Sequence, residues 1–196
     1  GLIMGVPLAA GLVYGNRFVR APIALYVWFF RGVPILVLLF LFYFGLLPFL
    51  ESITHKIVSF NEFTAACIVL GMTSAAYQSQ IFRGAIQSLP TGQLKAARAL
   101  GMSDFTAITS IILPQALRLS IPAWSNEFSI ILKDSAVAFV LGTTELMANT
   151  HFIASRTYKH MPLFITAGVI YFILTWIGVK LLLRLEHKVR IPGYNQ

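Results

Sequence analysis

The sequence predicts an all-α integral membrane protein, and three observations carry that prediction. Of 196 residues, 57% are hydrophobic and only 11% charged, with a mean hydropathy of +0.77; soluble domains carry roughly 25% charged residues. Several stretches approach the roughly 20 apolar residues that a helix needs to cross about 30 Å of hydrocarbon. The Lys and Arg residues stand singly or in small groups at the ends of those stretches. A phosphate-binding surface instead gathers its basic residues on one face, so the net charge of +8 does not read as nucleic-acid binding. Sixteen Phe, seven Tyr and three Trp exclude a disordered chain. A single cysteine, Cys67, excludes an internal disulfide or a thiolate metal cluster and is expected to be a small buried hydrophobe.

Taken in order, residues 1–15, GLIMGVPLAAGLVYG, are apolar but too short to span, with no initiator Met and no basic residues ahead of them. They are expected to be the tail of a first span whose beginning is missing, not a signal peptide. An interrupted apolar approach, APIALYVWFFRG, leads into span two at 33–50. Span three is 63–82, span four 119–142 and span five 162–183, giving five transmembrane helices in the full protein and a single transmembrane domain, 1–196. The Lys/Arg bias orients them. With the segment after span one inside the cell, that side holds Arg17, Arg20, Arg31, Arg83, Lys95, Arg98, Arg118, Arg184, Lys188 and Arg190, against Lys56, Arg156 and Lys159 outside. The expected topology is N-terminus out and C-terminus in, with Arg31 and Arg83 anchoring spans at the cytoplasmic surface. Gly71, Gly84, Ala75 and Ala76 are expected to let helices approach closely. Trp124, Tyr171 and Trp176 read as packing or interface anchors.

The largest internal hydrophilic segment, 83–118, falls between spans three and four, and residues 91–114 within it predict a loop of two short helices. Pro90 stops the preceding helix and Thr91 is a capping residue. Leu94, Ala97 and Leu100 recur at near-helical spacing, and Gly101 suits a left-handed helix end. Ser103 and Asp104 start a second helix, SDFTAITSIILP, which Pro114 closes or kinks. Small residues on the first helix suit insertion into a cleft of a partner; a short amphipathic helix resting on the membrane has the same periodicity.

The string K-A-A-x3-G-x9-I-x-L-P, from Lys95 through Ala96, Ala97, Gly101, Ile111, Leu113 and Pro114, resembles the EAA loop of ABC importer membrane subunits. The segments YVWFFRGVP (26–34), AAYQSQIFRGAIQSLPTGQ (75–93) and LPQALRLSIPAWSNEFSIILKDSAVAFVLGTTEL (113–146) resemble permeases that import polar amino acids of the histidine/glutamine/arginine group. The resemblance implies a bacterial or archaeal cytoplasmic (inner) membrane, surrounding lipid, and a second permease subunit, identical or homologous. It implies an ABC ATPase subunit that carries the ATP and Mg, none being held by this chain, and an extracytoplasmic solute-binding protein that delivers the amino acid. The coupling contact is then expected at Leu94, Lys95, Ala96, Ala97, Arg98, Leu100, Gly101, Leu113 and Pro114. Two positions depart from the family pattern: Lys95 stands where the motif leads with Glu, and Gln80 stands where the A-Y-x-x-E pattern of span three has its acid.

Ionisable residues inside a membrane face a cavity or a partner, because each costs at least about 2.5–3.5 kcal/mol at a helix centre. On a helix through span four, Asn126, Ser129 and Lys133 share one face and Glu127 and Asp134 the neighbouring one. That side of the span is expected to line a substrate pathway, with Glu127 and Asp134 toward cationic groups and Lys133 toward a carboxylate. The chain has no G-x4-G-K-[ST] phosphate cradle. His55, His151, His160 and His187 show no metal-ligand spacing, and no catalytic residues are expected. A secondary transporter or channel subunit that needs no ATP, and a membrane scaffold that only recruits a protein through its loop, are the alternatives. The first usually shows internal inverted repeats, and no repeat is found here.

Overall fold

The computed structural model describes residues 1–54 and 60–189. His55, Lys56 and Arg190, used above in the ligand and orientation arguments, lie outside the described residues. Within them the chain forms α1 (Leu2–Tyr14), α2 (Arg17–Gly32), α3 (Ile35–Ile53), α4 (Glu62–Ser88) and α5 (Gly92–Ala99). Then follow α6 (Asp104–Leu119), α7 (Ile121–Leu141, the last turns 3-10), α8 (Leu146–Thr157) and α9 (His160–Val189), with no strand among the described residues.

Local chemistry sets the starts. The Asn16 and Asn61 side chains accept from the backbone N–H of Val19 and Thr64, at 3.0 and 2.8 Å, capping α2 and α4. Glu145 caps α8 through Met147 and Ala148 and accepts a hydrogen bond from the Tyr171 hydroxyl at 3.1 Å, tying α8 to α9.

Pro48 and Pro114 sit inside the continuous helices α3 and α6. A proline removes a backbone donor and presses its ring on the carbonyl four residues back. In both cases that residue lies in a wider π turn, Phe44 within Leu41–Leu46 before Pro48, and Ser110 within Ile108–Ile112 before Pro114. Pro114 therefore does not close its helix, which runs on to Leu119. The chain bends at Ser120 instead, by 60° between α6 and α7.

The architecture is built around α4. Twelve of its residues are buried, among them Ala65, Val69, Ala75 and Ala76. One half packs with Val27 and Phe30 of α2, Leu38, Leu39 and Phe42 of α3, and Ala138 and Leu141 of α7. The other half packs with Ala9 of α1 and Ile112 and Ala116 of α6. By contrast α9, thirty residues long, buries only Ala167. Among the described residues two helices, α3 and α9, are long and apolar enough to cross a membrane, and α6 with α7 makes a third if the bent pair is one span.

Close helix approach occurs, but not where the glycines of α4 suggested it. No atom lies within 4 Å of where a Cβ on Gly71 or Gly84 would stand. The contact runs along α1, where Gly1, Gly5 and Ala9 recur every fourth residue. A Cβ on Gly5 would come 2.9 Å from the Cβ of Gln78, and Ala9 is fully buried. Such small-residue rows let membrane helices pack backbone to backbone. Cys67 is also corrected: it is exposed, one turn from exposed Phe63 on the outer face of α4.

Gly5→Val is expected to destabilise by about 1–3 kcal/mol, lowering the thermal midpoint in detergent by several degrees. Gly71→Ala, with open space around it, is expected to leave the midpoint unchanged or raise it slightly. Equal effects of the two substitutions would contradict this packing.

Candidate functional site

Two features stand out, a projecting hairpin and a polar cluster beside α4. The hairpin is α5 and the first turns of α6. Helix α5 ends in a full Schellman motif. Gly101 takes the left-handed conformation at φ +81°, its N–H donating to the Arg98 carbonyl at 2.9 Å, while Met102 N–H donates to the Ala97 carbonyl at 3.1 Å. Ser103 caps α6 through Thr106 N–H at 3.2 Å. Arg98 clamps Asp104 with both arms of its guanidinium, at 2.7 and 2.8 Å. The Arg98 hydrogen bond holds the Asp104 carboxyl below its ordinary range, and the same contact raises Arg98. At the base, the Gln93 and Gln115 amides exchange hydrogen bonds at 3.0 Å.

These contacts sort the residues expected at a partner contact. Ala97 is 3% exposed and faces inward, so its small size serves packing of α5 on the bundle. Leu94 borders an apolar cavity of about 220 Å³ with Tyr14 and Ile86, and Leu113 packs against the α1–α4–α6 core. Lys95, Ala96, Arg98, Gly101 and Pro114 lie outward, and Leu100 projects at 83% exposure. Beside it Phe105 is 77% exposed. Sequence reading passed over Phe105; its signal is a large apolar residue in the first turn after the Ser103 cap.

The second feature lies half-way along α4. Glu127 is 3% exposed. Its Oε1 accepts from the Ser74 hydroxyl at 3.3 Å, and Gln78 Nε2 donates to the same hydroxyl oxygen at 2.8 Å. Arg31 and Asp134 lie close enough to act on Glu127 electrostatically. A cavity of about 300 Å³ is lined by Arg31, Gly32, Thr73, Tyr77 and Asp134, among others. The Arg31 guanidinium stands 5.1 Å from the Tyr77 ring centroid. Thr73 Oγ1 and Gln78 Oε1 are buried without a hydrogen-bond partner.

Of the five residues expected to form one wall, the fold brings Glu127 and Asp134 to α4. Asn126 and Lys133 are exposed on the adjoining surface. Ser129, between them, bonds back to the Ser125 carbonyl at 3.1 Å. Arg31 is exposed, and its guanidinium lies level with Tyr77, near the middle of α4. The break Gly32–Val33–Pro34 between α2 and α3 carries it to that depth. Ser74 with Gln78, and Thr73 with Tyr77, are i, i+4 polar pairs in an otherwise apolar span, a signal present in the sequence but unread. Arg83 donates to Gln80 at 3.3 Å, so the amide at that position is engaged without charge. No group of three or more His, Cys, Asp or Glu placed to hold a metal ion occurs among the described residues.

Comparison with known proteins adds the following. A family model described as binding-protein-dependent transport system inner membrane component matches residues 1–191. The histidine/lysine/arginine/ornithine transport system permease protein HisM of Salmonella typhimurium is 38% identical over 192 residues, covering 96% of this chain and 81% of that protein. The nopaline transport system permease protein NocM of Agrobacterium fabrum is 36% identical over 190 residues, covering 95% and 78%. A crystal structure of an amino acid ABC transporter with histidines matches with a TM-score of 0.81 at 34% identity, over 95% of this chain and 84% of that one. An inward-facing methionine transporter, MetNI, shares the fold, with a TM-score of 0.76 at 23% identity over 97% and 86%.

The hairpin's ion pair gives a signed pH prediction. Because the folded Asp104 carboxyl is lowered, the pair's contribution is present above the ordinary carboxylate range. It is lost as pH falls below about 4, through the lowered value. A nitroxide at Ala99→Cys in a Cys67→Ser background is expected to keep one mobility from pH 5 to 8. It should loosen on acidification, and at pH 7 in Asp104→Asn. A label indifferent to Asp104→Asn would show that the ion pair does not order the hairpin.

Proposed function

The chain belongs to the family of binding-protein-dependent transport system inner membrane components, and on that premise we propose that it is the membrane subunit of an ATP-driven importer of a polar amino acid. Its relatives include amino-acid permease proteins, which supports the substrate class. In this reading the protein spans the membrane five times, N-terminus outside and C-terminus inside, and pairs with a second permease subunit. ATP and Mg belong to a partner ATPase, and a solute-binding protein delivers the amino acid from outside.

The observation that carries the reading is the α5–α6 hairpin. A coupling element must transmit force without deforming, and this one is braced by a Schellman motif, a bidentate ion pair and a cap, with Leu100 and Phe105 presented at its tip. Exposed apolar anchors rimmed by Lys95, Arg98 and Asp104 suit an apolar cleft with a polar edge. Closure of the ATPases would draw the hairpin with it, and the rigid α6 and the bend at Ser120 would pass the movement to α7.

Along α7, Asp134 brings negative charge to the cavity that Arg31 lines with positive charge, and Glu127 lies buried two turns before it against Ser74. A zwitterion stripped of water needs both signs. Asn126, Ser129 and Lys133 continue the polar surface of α7 toward the substrate carboxylate.

Leu100→Glu with Phe105→Glu is expected to cut uptake at least tenfold, with stimulated ATP hydrolysis, in a reconstituted transporter, while the chain still inserts and folds. Retained stimulation would remove the coupling role. Glu127→Gln with Asp134→Asn is expected to reduce uptake at least tenfold with co-purification of the ATPase unchanged. Normal uptake by that variant would take these carboxylates out of the pathway.

A further inference from the structure

At the corner between α1 and α2 an open groove of about 520 Å³ is lined by Gly15, Asn16, Arg17, Arg20, Ala21 and Ala24. No acidic residue lines it. The one ion pair among the described residues is Arg98–Asp104, so neither arginine has an acidic partner there. Arg20 Nη2 reaches the Val13 and Gly15 carbonyls, at 3.4 Å each, which fixes its guanidinium at the end of α1. The two alanines leave the floor of the groove flat. One turn beyond Ala24, on the same face, Trp28 is 71% exposed. Phe18 and Leu25, flanking this face, are exposed as well.

The order along α2 is therefore two cations, a smooth apolar floor and an aromatic ring. From Arg17 to Trp28 the helix rises about 16 Å, most of the ~20 Å depth of one leaflet. The arginines are at the end of the bundle where α1 finishes, and Tyr26, near Trp28, hydrogen-bonds the Met72 carbonyl at mid-α4. The groove thus runs from the membrane boundary toward its middle, and its apolar rim opens to lipid. Exposed arginine at a membrane boundary favours anionic headgroups.

We propose that this groove is a binding site for one anionic phospholipid, its phosphate on Arg17 and Arg20 and an acyl chain along Ala21 and Ala24 to Trp28. The occupant holds the α1–α2 corner from outside, next to the cavity that separates Tyr14 from Leu94 of the hairpin.

Trp28 reports the site. In a full chain carrying Trp124→Phe and Trp176→Phe, reconstituted in phosphatidylcholine vesicles, brominated phosphatidylglycerol is expected to quench Trp28 more than brominated phosphatidylcholine at the same mole fraction. Arg17→Gln with Arg20→Gln should abolish that preference, at roughly fivefold in relative affinity per charge removed, and Arg17→Lys with Arg20→Lys should keep most of it. If the double Gln variant does not fold, Arg17→Gln alone, which leaves the Arg20 contacts intact, should lose about fivefold. Equal quenching by the two lipids, or a preference untouched by Arg17→Gln, overturns the proposal. Absence of quenching by either lipid assigns the groove to a protein contact and overturns it too. Loss of the preference on adding inorganic phosphate would mark a soluble-anion site rather than a lipid site.

Discussion

A polar group surrounded by hydrocarbon must find its partner inside the protein, and the arrangement around α4 follows from that constraint. Thr73, Ser74, Gln78 and Ser79 make this helix unfit to face lipid, and all four are buried. Helices α1, α2, α3 and α7 are gathered round it to supply the cover. The long apolar helix α9 needs none and stands at the edge with one buried residue. The pattern inverts that of a soluble domain, where the most apolar segments are the most enclosed.

The same constraint explains the break at Gly32–Val33–Pro34. Non-helical backbone at membrane depth is tolerated where it lines a cavity or is buried in protein. Here it borders the space shared with Thr73, Tyr77 and Asp134, and it lifts Arg31 to the level of Tyr77. A buried carboxylate such as Glu127 is costly when held by a single hydroxyl. Arg31 near by, Ser74 in contact and a polar cavity alongside together lower that cost.

The hairpin was largely legible because its interactions are local. Gly101 as a left-handed helix end and Ser103 as a cap depend on near neighbours in the chain; the Arg98–Asp104 pair, six positions apart, was not read. That the helix would continue past Pro114 was not legible, because it depends on the turn before it. A π turn absorbs the ring, and the same solution at Pro48 shows that the adjustment lies in the backbone, which residue types alone do not announce. Ala97 shows the other gap: its small size was visible, but not which surface it would meet.

From residue types and spacing alone came the membrane class, the approximate limits of the apolar helices, the two-helix loop and the family resemblance. The first three rest on local composition and periodicity, which backbone geometry converts directly into structure, and the resemblance on a set of motifs in order. Tertiary structure alone decided that Gly5 rather than Gly71 is a point of close approach, that Cys67 faces outward, that Arg31 meets Tyr77 and that Ser74 meets Glu127. Those relations join residues far apart in the chain. They depend on how helices rotate and cross, which is settled by mutual packing and by the need to pair buried polar groups, not by any helix on its own.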